Sequence, residues 1–159
     1  MKPTKVLMVC LGNICRSPTA HGVFQHLVER EGLSHVIFVD SAGTSGWHID
    51  EPPDRRSQNA ALSRGYDLSQ QRGRQVQASD FETFDYILAM DQANLDDLRR
   101  MRPKAYSGHL GLFLAFSKEF SDTEVPDPYH GGAKGFELVL DMVESAAVGL
   151  LYHIKQTRV

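Results

Sequence analysis

The sequence predicts a single-domain, three-layer α/β fold, with a parallel sheet held between two layers of helices. Three observations predict it. Short apolar runs of strand length alternate with longer stretches of helical periodicity. The first run, residues 5–9, is apolar after its lysine, as a central strand buried on both faces must be. The chain has 159 residues, 42% of them hydrophobic, which is the size and composition of one domain with a substantial core.

Each element has its own signal. After the first strand, residues 17–31 read as a helix. Ala20, Val23, Phe24, Leu27 and Val28 share one face, and Gly32 stops it. Residues 36–39 form the next strand. A loop containing Gly43, Gly46, Pro52 and Pro53 leads to a helix at 54–64, closed by Gly65. Residues 84–89 form a third strand, and Asp91 caps a helix running to about 101, ahead of Pro103. Residues 110–116 are ambiguous, with a fourth strand as one reading. Phe136, Val139, Leu140, Val143, Ala147, Leu150, Leu151 and Ile154 mark a long amphipathic C-terminal helix. Connections between parallel strands pass over the faces, and ligands bind at the carboxyl ends of such strands.

The first strand ends in the most informative segment, Cys10-Leu11-Gly12-Asn13-Ile14-Cys15-Arg16-Ser17-Pro18. Five residues between Cys10 and Arg16 let the backbone curl into a bowl whose N–H groups converge on one anion. Gly12 permits a positive φ and Asn13 tolerates one. Ser17 is suited to an N-cap and Pro18 to the first helical position, so the helix dipole aims its positive end at the bowl. That field favours a Cys10 thiolate, the nucleophilic form of sulfur. Arg16 adds a permanently charged planar fork that matches two phosphate oxygens. The Ser17 hydroxyl can donate to the sulfur. A cysteine at a strand end is by itself commonly a small buried hydrophobe. The ordered conjunction of strand, glycine, asparagine, arginine and helix start favours phosphate chemistry instead.

Residues 10–17 resemble the active-site loop of the low-molecular-weight protein tyrosine phosphatases. Further matches are Asp40-Ser41-Ala42-Gly43-Thr44, the segment Phe84-Asp85-Tyr86-Ile87-Leu88-Ala89-Met90-Asp91 with Asn94, and Asp127-Pro128-Tyr129, in the family's order over essentially the whole chain. The resemblance implies a four-stranded parallel sheet of order 2-1-3-4. It implies hydrolysis of phosphotyrosine and aryl phosphates through a phosphocysteine, without metal or other cofactor. Cys10 would be the nucleophile. Arg16 and the loop residues Leu11, Gly12, Asn13, Ile14 and Cys15 would bind phosphate. Asp127 would be the general acid, although Asp-Pro alone is also a common turn former. Trp47 and Tyr129 are candidate walls of a slot deep enough for a phenyl phosphate. Asn13 and Ser41 resemble the pair that holds the loop's backbone, with Ser17 in support. Cys15 would close a disulfide on an oxidised Cys10. Two departures stand out. His130 occupies a position where the family often has a second aromatic, and Gln71 one near which it often has a histidine.

The partners implied are a tyrosine-phosphorylated protein as substrate and phosphate as product and inhibitor. A formal net charge of -3 argues against nucleic-acid binding. No apolar run is of membrane-spanning length and residues 1–9 do not make a signal peptide, so a cytoplasmic location without membrane insertion is expected. Cys10 and Cys15 are too close in sequence to staple the fold. His21, His26, His35, His48, His109 and His153 show no metal-ligand spacing, and Arg99-Arg100-Met101-Arg102 reads as a solvated helix end. Rival readings are weaker. Arsenate reduction on this fold uses further downstream cysteines, and none follows Cys15. Arginine phosphatases tend to carry Thr where Ile14 stands. Intact Cys10, Arg16 and Asp127 argue against a non-catalytic phosphate-binding module. A dinucleotide site lacks its G-x-G-x-x-G.

Overall fold

The structure, a computed structural model, describes residues 2–129 and 131–158. His130, flagged above as a departure, lies outside the described residues. The chain runs β1 (Thr4–Cys10), α1 (Arg16–Arg30), β2 (Ile37–Gly43), α2 (Arg55–Leu62), α3 (Asp80–Thr83), β3 (Tyr86–Ala89), α4 (Gln92–Met101), β4 (His109–Leu112), a 3-10 turn (Phe113–Phe116) and α5 (Ala133–Thr157). All strand pairs are parallel, in the order β2-β1-β3-β4. The order implied by the resemblance is therefore the order observed.

β1 sits between two neighbours, and its side chains alternate between two cores because a strand has period two. Val6, Met8 and Cys10 face the core built with α1 and α5, among them Phe24, Val28, Leu140 and Val143. Leu7 and Val9 face the other, with Phe81 of α3, Ile87 and Ala89 of β3, and Leu95 and Leu98 of α4. Two layers of helices thus bury both faces of the sheet. All four residues from Val6 to Val9 are fully buried, which explains their unbroken apolar run.

The ends of the elements follow local chemistry. Gly32 stops α1 at φ +70°, with its N–H on Glu29 and the Leu33 N–H on Val28, a closed C-terminal turn. Asp54 caps α2 by accepting the N–H groups of Arg56 and Ser57. Asp91 caps α4 through the Asn94 N–H at 2.8 Å.

Several boundaries differ from the sequence expectation. β2 continues to Gly43 where 36–39 was expected, because Asp40 and Ser41 pair with Leu7 and Met8 although their side chains break the apolar pattern. The ambiguous stretch divides into β4 and the 3-10 turn. The single-turn α3 gave no periodic signal. Among the described residues, no helix is long and apolar enough to cross a membrane.

Candidate active site

β1 delivers Cys10 to the carboxyl edge of the sheet, between the ends of β2 and β3, where parallel sheets place their ligands. Cys10 is only 3% exposed and lies at the floor of a cavity. Leu11, Gly12, Ile14, Cys15, Arg16, Trp47, His48, Asp127 and Tyr129 form the rest of its lining.

The loop curls because one residue takes a left-handed conformation. That residue is Asn13, at φ +58°; Gly12, the first candidate for it, has no positive φ. Gly12 instead leaves room, since a Cβ there would come within 3.1 Å of the His48 ring, which would have to give way by a few tenths of an ångström. The Asn13 turn points its own N–H at Cys10 Sγ, 3.3 Å away. Its side-chain Nδ2 donates to Ser17 Oγ at 2.8 Å and to Ser41 Oγ at 3.0 Å. Its Oδ1 accepts the Arg74 N–H at 3.0 Å. A buried asparagine satisfied on every side holds the conformation that its backbone alone would resist. The end of β2 braces the same loop, with the Thr44 N–H on Cys10 O and the Ser45 N–H on Leu11 O.

Ser17 is not the helix cap that its position suggested. Arg16 is the first helical residue, Cys15 stands at the N-cap without a side-chain cap, and Pro18 falls in the third position. Pro18 has no N–H to satisfy, so the first turn gives up little. The Ser17 hydroxyl is thereby released to lie 3.0 Å from Cys10 Sγ.

Arg16 is 3% exposed. One guanidinium nitrogen donates to Asp91 Oδ2 at 2.6 Å and to the Val125 carbonyl at 3.1 Å. The other lies 3.7 Å from Asp127 Oδ2. Burial works against its charge, but negative charge on Cys10, Asp91 and Asp127 outweighs that and holds the guanidinium above its ordinary value. Asp91 was read from the sequence only as a cap. It does both tasks, one oxygen on α4 and the other on Arg16.

Asp127 stands at the mouth, its side chain 45% exposed, and its Oδ1 accepts the Tyr129 N–H at 3.0 Å. The segment before it is anchored, because Val125 is buried and donates its N–H to Met90 O. Trp47, 71% exposed, and Tyr129 both line the mouth. Arg56 stacks on Tyr129 at 5.3 Å and on Phe136 at 4.8 Å from the ring centroids. His48 also lines the cavity, paired with Glu51 at 2.9 Å, and sequence reasoning did not single it out. Arg74 is a second residue it missed. Its guanidinium bridges Asp40 and Asp80 while its backbone holds Asn13. Cys15 is buried and unbridged, and burial pushes its thiol up to about 12 against a Ser57 hydrogen bond that pulls the other way. Among the described residues, no group of three or more His, Cys, Asp or Glu side chains is placed to hold a metal ion.

A buried thiol inside a helix-headed anion loop, with an arginine beside it and a carboxylate at the rim, defines a cysteine-based phosphate-handling site. Comparison with known proteins agrees. The family profile described as low molecular weight phosphotyrosine protein phosphatase matches residues 5–159. A low molecular weight protein-tyrosine-phosphatase of Streptomyces coelicolor is 42% identical over 155 residues, covering 96% of this chain and 94% of its own. Among solved structures, a protein tyrosine phosphatase of Entamoeba histolytica with Hepes in its active site superposes with a TM-score of 0.94 at 39% identity, covering 98% of this chain and 99% of its own. YfkJ of Bacillus subtilis superposes with a TM-score of 0.93 at 36% identity, covering 100% of this chain and 99% of its own. The chain belongs to the low molecular weight phosphotyrosine protein phosphatase family.

Proposed function

We propose that this protein hydrolyses phosphotyrosine in proteins through a phosphocysteine, acting as one phosphatase domain over residues 1–159 in the cytoplasm. The observation that carries this reading is the position of Cys10 Sγ. It lies at the floor of the cavity, within reach of the Asn13 N–H and the Ser17 hydroxyl, with Arg16 held beside it and Asp127 at the rim.

The phosphoryl group is held by Arg16 and by the backbone N–H groups of residues 11–16. The Cys10 thiolate attacks phosphorus in line with the ester oxygen. As the P–O bond breaks, Asp127 gives its proton to the departing phenolic oxygen. Water then attacks the phosphocysteine, and the Asp127 carboxylate takes its proton. The P–S bond breaks, and the returning thiolate is stabilised by the Ser17 hydroxyl and the Asn13 N–H. Phosphate leaves and competes with substrate as an inhibitor. Trp47 and Tyr129 flank the mouth, where a phenyl ring would stack, and aromatic walls favour phosphotyrosine over the shorter phosphoesters that carry no ring. Cys15 is assigned as the thiol that closes a disulfide on an oxidised Cys10.

The test is hydrolysis of an aryl phosphate in the presence of EDTA. Cys10→Ser should abolish turnover, and Asp127→Ala should slow it by roughly a hundredfold or more. Phosphotyrosine peptides should be cleaved in preference to phosphoarginine peptides. Absence of turnover in freshly reduced protein, or full activity in Cys10→Ser, would overturn the mechanism.

A further inference from the structure

Behind the phosphate loop, away from the substrate mouth, lies a second cavity. It is lined by His21 of α1, Asp40 and Ser41 of β2, and Asp67, Gln71 and Arg72 of the segment after α2. Neither Asp67 nor Arg72 belongs to the site described above. His21 and Ser41 do something more than line it. His21 Nδ1 lies 3.4 Å from Ser41 Oγ. From Ser41 a continuous chain of hydrogen bonds runs through Asn13 and Ser17 to Cys10 Sγ, with steps of 3.0, 2.8 and 3.0 Å.

The chain has a direction. The Arg74 N–H fixes the Asn13 amide by donating to its Oδ1, so Nδ2 must face the two serines and donate to both. Each serine oxygen then accepts from Asn13 and must place its own proton elsewhere. For Ser17 the nearest acceptor is Cys10 Sγ, at 3.0 Å against 3.5 Å for the Ala42 carbonyl. For Ser41 the acceptors are His21 Nδ1 at 3.4 Å and Gln71 Oε1 at 3.5 Å. Gln71 is itself held in place by donating to the Pro18 carbonyl at 3.0 Å.

We propose that His21 is a positioning residue for Cys10: as neutral imidazole it accepts the Ser41 proton and keeps the Ser41–Asn13–Ser17 chain donating toward the sulfur, and its protonation through the second cavity slows the reaction. A protonated Nδ1 becomes a donor. Ser41 Oγ must then accept from both His21 and Asn13 and turn its own proton to Gln71 Oε1, the longer contact at 3.5 Å; accepting from a cation weakens its hold on the Asn13 amide that orders both the loop and Ser17.

The charges around His21 are mixed. Asp40 of β2 favours protonation, but Arg74 is paired with that carboxylate at 3.1 Å. Asp67 and Arg72 face it from the segment after α2 with opposite signs. Burial dominates and keeps the imidazole below its ordinary value, against Asp40 and the Gln71 hydrogen bond. His21 is therefore neutral at physiological pH and becomes charged only on acidification.

The inference rests on Cys10 as the nucleophile, and its test separates the two. Two variants are compared with wild type in pH profiles of kcat and KM for an aryl phosphate, and in the rate at which iodoacetate alkylates Cys10. His21→Leu keeps the bulk and removes the acceptor; it should lower kcat about threefold to tenfold with KM little changed, and slow alkylation to a similar degree. His21→Asn restores an acceptor that cannot be protonated. It should recover both rates and lose one ionisation from the acid limb of the profile. Wild-type kcat in His21→Leu, or an unaltered acid limb in His21→Asn, would overturn the proposal. Should His21→Leu fail to fold, the acid limb of His21→Asn decides alone. Alkylation needs no turnover, so a protein without phosphatase activity would still report on the chain, and the two readings fail separately.

Discussion

Cys10 and Cys15 are five positions apart, yet their surroundings differ. Cys10 meets the Asn13 N–H and the Ser17 hydroxyl at the cavity floor. Cys15 is buried, and burial pushes its thiol up to about 12, so only a minute fraction ionises at neutral pH. The expected result with limiting iodoacetamide at neutral pH is alkylation of Cys10 alone, with loss of activity, read by mass spectrometry of the peptide holding both residues. Two labels at equal rates would show Cys15 to be freely reactive. The same burial makes Cys15 a slow partner for an oxidised Cys10. After a peroxide pulse, Cys15→Ser should regain less activity on reduction than wild type, and equal recovery would remove Cys15 from any protective role. These two residues were legible in the sequence because their chemistry depends on a local spacing. Asp91 was only half legible. Its cap acts on its own helix, three residues away, whereas its bond to Arg16 spans 75 positions and exists only once β3 lies beside β1. Arg74 was not legible for the same reason, since it reaches Asn13 from 61 positions away.

At the scale of elements, the close approaches are made by glycine. Gly149 in the middle of α5 has the Phe116 carbonyl against its Cα, so that a Cβ would overlap the Phe116 oxygen and crowd its carbonyl carbon at 2.8 Å. That approach lets α5 lie tightly on the 3-10 turn following β4. The hydrogen bond between Ser117 and Ser145, at 2.7 Å, ties the same junction. Gly149→Ala must push backbone apart, with no flexible side chain to yield. It should destabilise by about 3 kcal/mol, seen as a fall of roughly 6 to 12 °C in melting temperature. Activity of the folded fraction should persist, because α5 does not line the cavity above Cys10. An unchanged melting temperature would mean that α5 shifts without cost. Helix faces were readable from sequence because their periodicity is internal to each element. The need for Gly149 is not internal to its helix, since what it meets lies 33 positions earlier. β2 shows the converse. Its last four residues carry Asp40 and Ser41, which spoil the apolar alternation, and only pairing with β1 identifies them as strand.

Across the whole molecule, the imidazoles set how the fold responds to acid. Burial keeps His21 below its ordinary value, and partial desolvation, with the neighbouring His153 adding to it, lowers His109, which stays exposed at the start of β4. His109 packs between Tyr86, Phe116 and His153 where the sheet edge meets α5. Histidines with lowered values bind protons more readily in the unfolded chain than in the folded one. Their contribution is therefore fully present above the unfolded value of about 6.5 and is lost progressively as pH falls from there through the folded values. Carboxylates follow at lower pH. Asp54, held below its ordinary value by Arg56 and the α2 N-terminus in spite of partial burial, loses its contribution only as pH drops through the carboxylate range. Melting temperature should accordingly be flat at neutral pH and begin to fall near pH 6.5, before any carboxylate titrates. His109→Gln, which leaves the phosphate loop and its supports untouched, should reduce the slope of that first fall and leave the later carboxylate fall in place. Calorimetry of the two proteins over the acid range checks this. Identical first slopes would show that the junction of β4 and α5 opens, and His109 protonates, without cost to the native fold.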